Sequence, residues 1–169
     1  MLPSIRERNE QFASLTVADK RVAVARDVIA QLDLKQLIAH SGVYADLRGA
    51  NKEECHVCAL GALGVSVLNG SALHCSAYSL REGLAGIFDR DVLVEVEQAF
   101  ECWDKYEHGG GGTLSDEDRL RQIMQNIIDS GGDFVGSDLP WYCPGCEEEE
   151  EDYHDTCDCC GNDEEDDNA

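Results

Sequence analysis

The sequence predicts a mainly α-helical fold, a compact bundle of about five to six helices with a small irregular, metal-stabilised appendage at its carboxyl end. Three observations lead there. Segments 89–103 and 115–128 repeat apolar residues at helical spacing. Segment 53–68 is apolar on nearly every side, as a helix in the middle of a bundle is. No stretch sustains the every-second-residue alternation of a half-buried strand.

The elements follow in order. Thr16 with Asp19 three residues on resembles a capping box with Asp in place of Glu, and Val17, Val24, Val28, Ile29 and Leu32 continue at helical spacing. A short second helix is expected from Leu34 to His40, stopping before Gly42. The next spans Glu53 to Leu68 and ends at Asn69-Gly70. Inside it, Gly61 and Gly64 each cost about 1 kcal/mol relative to alanine, which makes sense where other helices approach closely. Asp89 can cap a helix whose stripe is Val92, Leu93, Val96, Ala99, Phe100 and Trp103. After the Gly109–Gly112 linker, Ser115 starts the clearest helix. Asp116, Glu117 and Asp118 sit at its positive end, Leu120, Ile123, Met124, Ile127 and Ile128 form its buried stripe, and Gly131 closes it.

Three of these segments, "CHVCALGAL" (55–63), "VLVEVEQAF" (92–100) and "RLRQIMQNIIDSGGDF" (119–134), together resemble a group of small helical proteins encoded by bacteriophages. The resemblance covers roughly residues 17–135 and rests on packing motifs. It implies a fold and a viral origin, and carries over neither a catalytic residue nor an activity.

Charge divides the chain into a helical body, 1–132, and an acidic cysteine-rich tail, 133–169. The whole carries -22; the tail holds 15 acids and no lysine or arginine, leaving -7 on the body. A field of that sign repels phosphate backbones, which argues against direct nucleic-acid binding. It steers basic protein surfaces toward the tail, or, more plainly, keeps the chain soluble. The longest apolar run, "VCALGALGVSVL", is too short to span a bilayer. The first residues, "MLPSIRERNEQF", lack the apolar core of an export signal, so a reducing cytoplasm (the host's, if the chain is viral) is expected for its nine cysteines.

The tail's cysteines have metal-ligand spacing. Cys143 and Cys146 form C-P-G-C, ten residues intervene, and Cys157 and Cys160 form C-D-C-C before Gly161. A two-residue gap lets one tight turn point both thiolates at one ion, and the second pair completes a tetrahedron. Paired knuckles of this kind are similar to those of zinc ribbons, although Glu147 stands where the first knuckle has glycine. Seven acids lie in the loop between the pairs, where only Tyr153 is apolar, so burial cannot order it. Structural Zn²⁺ contributes on the order of 10 kcal/mol in small modules, enough to offset that repulsion. Cys159 and His154 are alternate ligands, iron suits the same four thiolates, and disulfides or a reduced, unordered tail are the competing readings. Four protein ligands leave no open position, so the site reads as structural. "DSGGDFVGSDLP" does not satisfy an EF-hand loop.

Elsewhere, Cys55 and Cys58 are the weak catalytic candidates. Cys55 falls near an expected helix N-terminus, where the dipole lowers a thiol pKa, and His74, His56 or His40 would serve as base. Buried core cysteine is the plainer reading, and a second metal site with His74 or Cys75 a third. Cys102, beside Trp103, reads as core or boundary, and His108, at the glycine linker, as solvated. The letters GGDF at 131–134 lack the residues that would make them a cyclase signature, and no phosphate loop, dinucleotide fingerprint or nucleophile elbow occurs. Three functions fit these residues: a non-enzymatic interaction module, which in a phage would be an acidic nucleic-acid-mimicking inhibitor of a host protein; a small cysteine-dependent enzyme; and an accessory protein whose tail is a solubiliser.

Overall fold

A computed structural model gives the architecture and describes residues 4–48, 54–68, 72–73, 75–101 and 114–139. The fold is mainly helical, with six α-helices and one three-stranded sheet among those residues. In chain order they are α1 (Ile5–Arg8), α2 (Val17–Asp33), β1 (Leu37–Ala39), β2 (Ala45–Arg48), β3 (Glu54–Val57), α3 (Ala59–Leu68), α4 (Ala77–Leu84), α5 (Arg90–Glu101) and α6 (Asp116–Asp129). Single 3₁₀ turns lie at Phe12–Ser14 and Gly136–Asp138.

The capping residues act as their chemistry dictates. Thr16 Oγ1 accepts from the Asp19 amide at 3.1 Å, and Ser115 Oγ does the same for Asp118 at 3.1 Å. At the end of α6, the Gly132 amide bonds Ile127 O and the Gly131 amide bonds Ile128 O. That is the Schellman pattern, and the φ of +67° at Gly131 is what glycine permits there.

α3 is the packing centre. Ala59 through Val67 are all buried, and α1, α2, α4, α5 and the sheet surround the helix. α2 packs along α6, with Val24, Val28 and Leu32 buried on the one and Leu120, Ile123, Met124 and Ile127 on the other. Leu93, Val96, Ala99 and Phe100 supply the buried stripe of α5.

The sheet corrects two sequence expectations. The predicted helix from Leu34 to His40 is instead a turn followed by β1, and the predicted single helix from Glu53 to Leu68 is β3 followed by α3. α2 stops because Lys35 adopts φ +54° and the Gln36 amide reaches back to Gln31 O, the same Schellman geometry without a glycine. β3 is central, in the order β1-β3-β2. It runs parallel to β1 (Leu37 opposite Cys55) and antiparallel to β2 (Ala45 opposite Val57). Strands of three and four residues are too short to show a period, which is why alternation was invisible.

α4 was not expected either. Ser76 caps it through the Ser79 amide, and only Leu80 and Leu84 are buried on it. The two glycines of α3 meet different neighbours. Beside Gly64 lies Leu80 of α4, the close helix that the sequence suggested; beside Gly61 lies the backbone carbonyl of Tyr44, from the loop before β2.

The packed body runs past residue 132. Phe134, Gly136 and Leu139 are buried. Arg21 holds that segment down: its Nη1 donates to Asp133 Oδ1 at 3.2 Å, Nη2 to Asp89 Oδ2 at 2.7 Å and Nε to Ile87 O at 2.6 Å. The first seven residues assigned to the tail thus belong to the body.

Candidate functional site

The Cys55–Cys58 segment holds the two catalytic candidates that fall among the described residues, and the geometry begins with strand alternation. Successive residues of β3 point to opposite faces. Cys55 and Val57 go into the core, 2% and 0% exposed, and the half-buried His56 goes to the other face. There its ring meets that of His40 edge-on, with centroids 5.7 Å apart. His40 Nδ1 lies 2.7 Å from Ser41 O, and its amide donates to Val57 O. Asp46 of β2 stands opposite His56 in the register. A thiol and an imidazole adjacent in one strand are thereby separated by the sheet itself.

Cys55 therefore lies in a strand and not at a helix N-terminus. Burial pushes its thiol up to about 11, with Asp46 adding to the rise. The helix-terminal cysteine is Cys58, whose Sγ accepts the Gly61 amide at 3.4 Å in the position of an N-cap. Such a site ordinarily lowers a thiol pKa. Here burial wins: desolvation pushes Cys58 up to about 12, the Gly61 bond opposes it, and the Glu101 and Glu97 carboxylates reinforce it. Both sulfurs are held as neutral thiols near neutral pH.

Around Cys58 is a polar cluster that the sequence reading missed. Gly42, at φ +73°, donates its amide to Glu101 Oε2 at 2.8 Å, and the Ser41 amide donates to Asp116 Oδ2 at 2.8 Å. Glu97 pairs with Arg81 and accepts from the Tyr44 hydroxyl. Burial, followed by the hydrogen bond and charge of Glu97, pushes Tyr44 up to about 12. Burial likewise raises Glu101 above the usual carboxylate value; the Gly42 amide works against it and Glu97 works with it. The signal was present as Glu97 and Glu101, four apart and bordering the Val96–Phe100 stripe of α5, but helix periodicity alone reads them as solvated. These groups seat the 40–44 loop on α3 and α5.

The remaining candidates divide simply. Cys75 is half-buried and packed against the core. No group of three His, Cys, Asp or Glu side chains suited to a metal occurs among the described residues. His74, Cys102, His108, the proposed ligands Cys143, Cys146, Cys157 and Cys160, and the alternates Cys159 and His154 lie outside the described residues. Among those described, no helix is long and apolar enough to cross a membrane. Comparison with protein-family models, curated proteins and solved structures gives no match to this chain.

Proposed function

We propose that this chain is a non-enzymatic interaction module, in which a helical body carries an acidic segment pinned by Zn²⁺ for docking onto a basic protein surface. The supporting observation is the disposition of charge. In the body, Arg8, Arg21, Lys35, Arg81, Arg119 and Arg121 are each paired with a body carboxylate. The segment beyond Asp133 has acids and no base with which to neutralise them. Its field is available to a partner.

The donor set fits structural zinc: four thiols in two C-x2-C pairs, with Cys143, Cys146, Cys157 and Cys160 as ligands. Bound there, Zn²⁺ would supply a crosslink and no reactive position. The resemblance to phage-encoded proteins sharpens the reading to an acidic mimic of nucleic acid that occupies a host protein's basic groove. The cysteine-enzyme alternative gains no support from Cys55 and Cys58, whose thiols are buried and protonated.

Two measurements test this. Mass spectrometry of the intact protein is expected to find one zinc per chain, lost in Cys143→Ser. Affinity capture at low salt is expected to retain basic proteins that elute between roughly 50 and 300 mM salt, since charge-driven contacts weaken steeply over that range. A metal-free native protein would remove the clasp, and capture indifferent to salt would remove the electrostatic docking.

A further inference from the structure

A half-open cleft of about 360 Å³ lies between α1, the first 3₁₀ turn, the start of α2 and the turn joining α4 to α5. Its size is at the lower end of the range for small-molecule sites. Phe12 and Ile87, both buried, supply an apolar floor, and Arg6, Lys20 and Asn9 supply polar walls.

The cations distinguish it. Among the described residues Arg6 and Lys20 make no ion pair, although carboxylates far outnumber bases in this chain and Arg8, Arg21, Lys35, Arg81, Arg119 and Arg121 are each paired. Asn9 accepts the Gln11 amide at 3.0 Å through Oδ1, which leaves its Nδ2 hydrogens as donors. Gly86 has φ +84° and nothing within 4 Å of where a Cβ would stand, so the wall is open at that point. Glu10 is the one acid in the lining. Behind the floor, Arg21 donates to Ile87 O at 2.6 Å and is itself paired with Asp89 and Asp133. Two unpaired cations against one acid give the lining its preference for an anion.

We propose that this cleft binds a small organic anion, its carboxylate held by Arg6 and Lys20 and its apolar body resting on Phe12 and Ile87. The inference is independent of the acidic tail and of zinc.

Sodium 4-phenylbutyrate, with about a dozen non-hydrogen atoms, is a suitable probe, and its expected Kd is on the order of 1 mM. Titrated into the ¹⁵N-labelled full chain, it should give saturable amide shifts at Asn9, Lys20 and Gly86. The neutral amide of the same acid should bind at least about 5-fold more weakly, and an Arg6→Gln/Lys20→Gln variant should lose about 10-fold for the acid alone. Ala13→Trp, an exposed wall position, should block both ligands while leaving the remaining spectrum intact. Absence of saturable shifts up to roughly 10 mM overturns the proposal. So does equal binding of acid and amide, or undiminished acid binding in the double variant.

Discussion

Replacing Gly61 with alanine asks how firmly the loop before β2 is seated on α3. Helix propensity alone favours the change by about 1 kcal/mol. A Cβ at this position, however, would overlap the carbonyl group of Tyr44, which is backbone and cannot rotate away. The loop has to lift as a unit. Doing so breaks the Cys58 amide bond to Val43 O and the Gly42 amide bond to Glu101. Each contributes about 1 kcal/mol, the second somewhat more because its acceptor is a carboxylate. Overpacking adds about 1–3 kcal/mol, so the net loss comes to roughly 2–4 kcal/mol.

Gly64→Ala is the internal comparison. A Cβ there meets Leu80 Cδ2 at 2.7 Å, the far end of a flexible side chain, and the net cost should be about 0–1 kcal/mol after the propensity gain. Urea and thermal unfolding followed by circular dichroism separate the two. For a chain of this length the Gly61 variant should melt about 4–16 °C below wild type and well below the Gly64 variant. Equal midpoints for the two variants would refute the packing argument.

Asp27 is buried and accepts from Ser66 Oγ at 2.6 Å, Gln31 Nε2 at 2.7 Å and Arg8 Nη2 at 2.6 Å; Asp27→Asn should cost about 2–3 kcal/mol in urea unfolding, and a loss under 0.5 would contradict it. Glu101 has a folded pKa raised above 4.5, so its contribution is fully present below that value and is lost as pH rises through the folded value. Glu101→Gln keeps an acceptor for Gly42 and should therefore be more stable than wild type at pH 7, with the gap closing toward pH 4; a gap independent of pH would sink the assignment. Iodoacetamide at pH 8, mapped by mass spectrometry, should leave Cys55 and Cys58 unlabelled in the native protein and label both in urea, because their thiols are buried with pKa values of about 11 and 12.

The long helices were legible because they carry several independent signals at once. α2 and α6 each have a hydroxyl cap, acids in the first turn and a stripe longer than two turns. The short elements were not. Lys35 enters the left-handed region with no glycine to announce it, so the chain after Asp33 read as more helix. β3 is buried through Cys55 and Val57 and flows into an apolar helix after one residue, Cys58, and such a junction has no polar punctuation. Gly61 was recognised as a point of close approach, but the approaching group, a carbonyl from seventeen residues earlier, depends on the sheet. The same holds for the seat of the 40–44 loop: Glu97 and Glu101 acquire their partners only through the β1–β2 connection. The tail's cysteine spacing, by contrast, is purely a matter of sequence.

Arg21 has a bearing on where the chain can be cut. One guanidinium clamps the approach to α5, at Ile87 and Asp89, to the run that follows α6, at Asp133, and beyond that clamp Phe134 and Leu139 are inserted like pegs. Scissors placed at residue 132 would pull both pegs and leave Arg21 gripping one carboxylate fewer. Placed after Leu139, they would spare every anchor among the described residues, so that is where the unit would be trimmed.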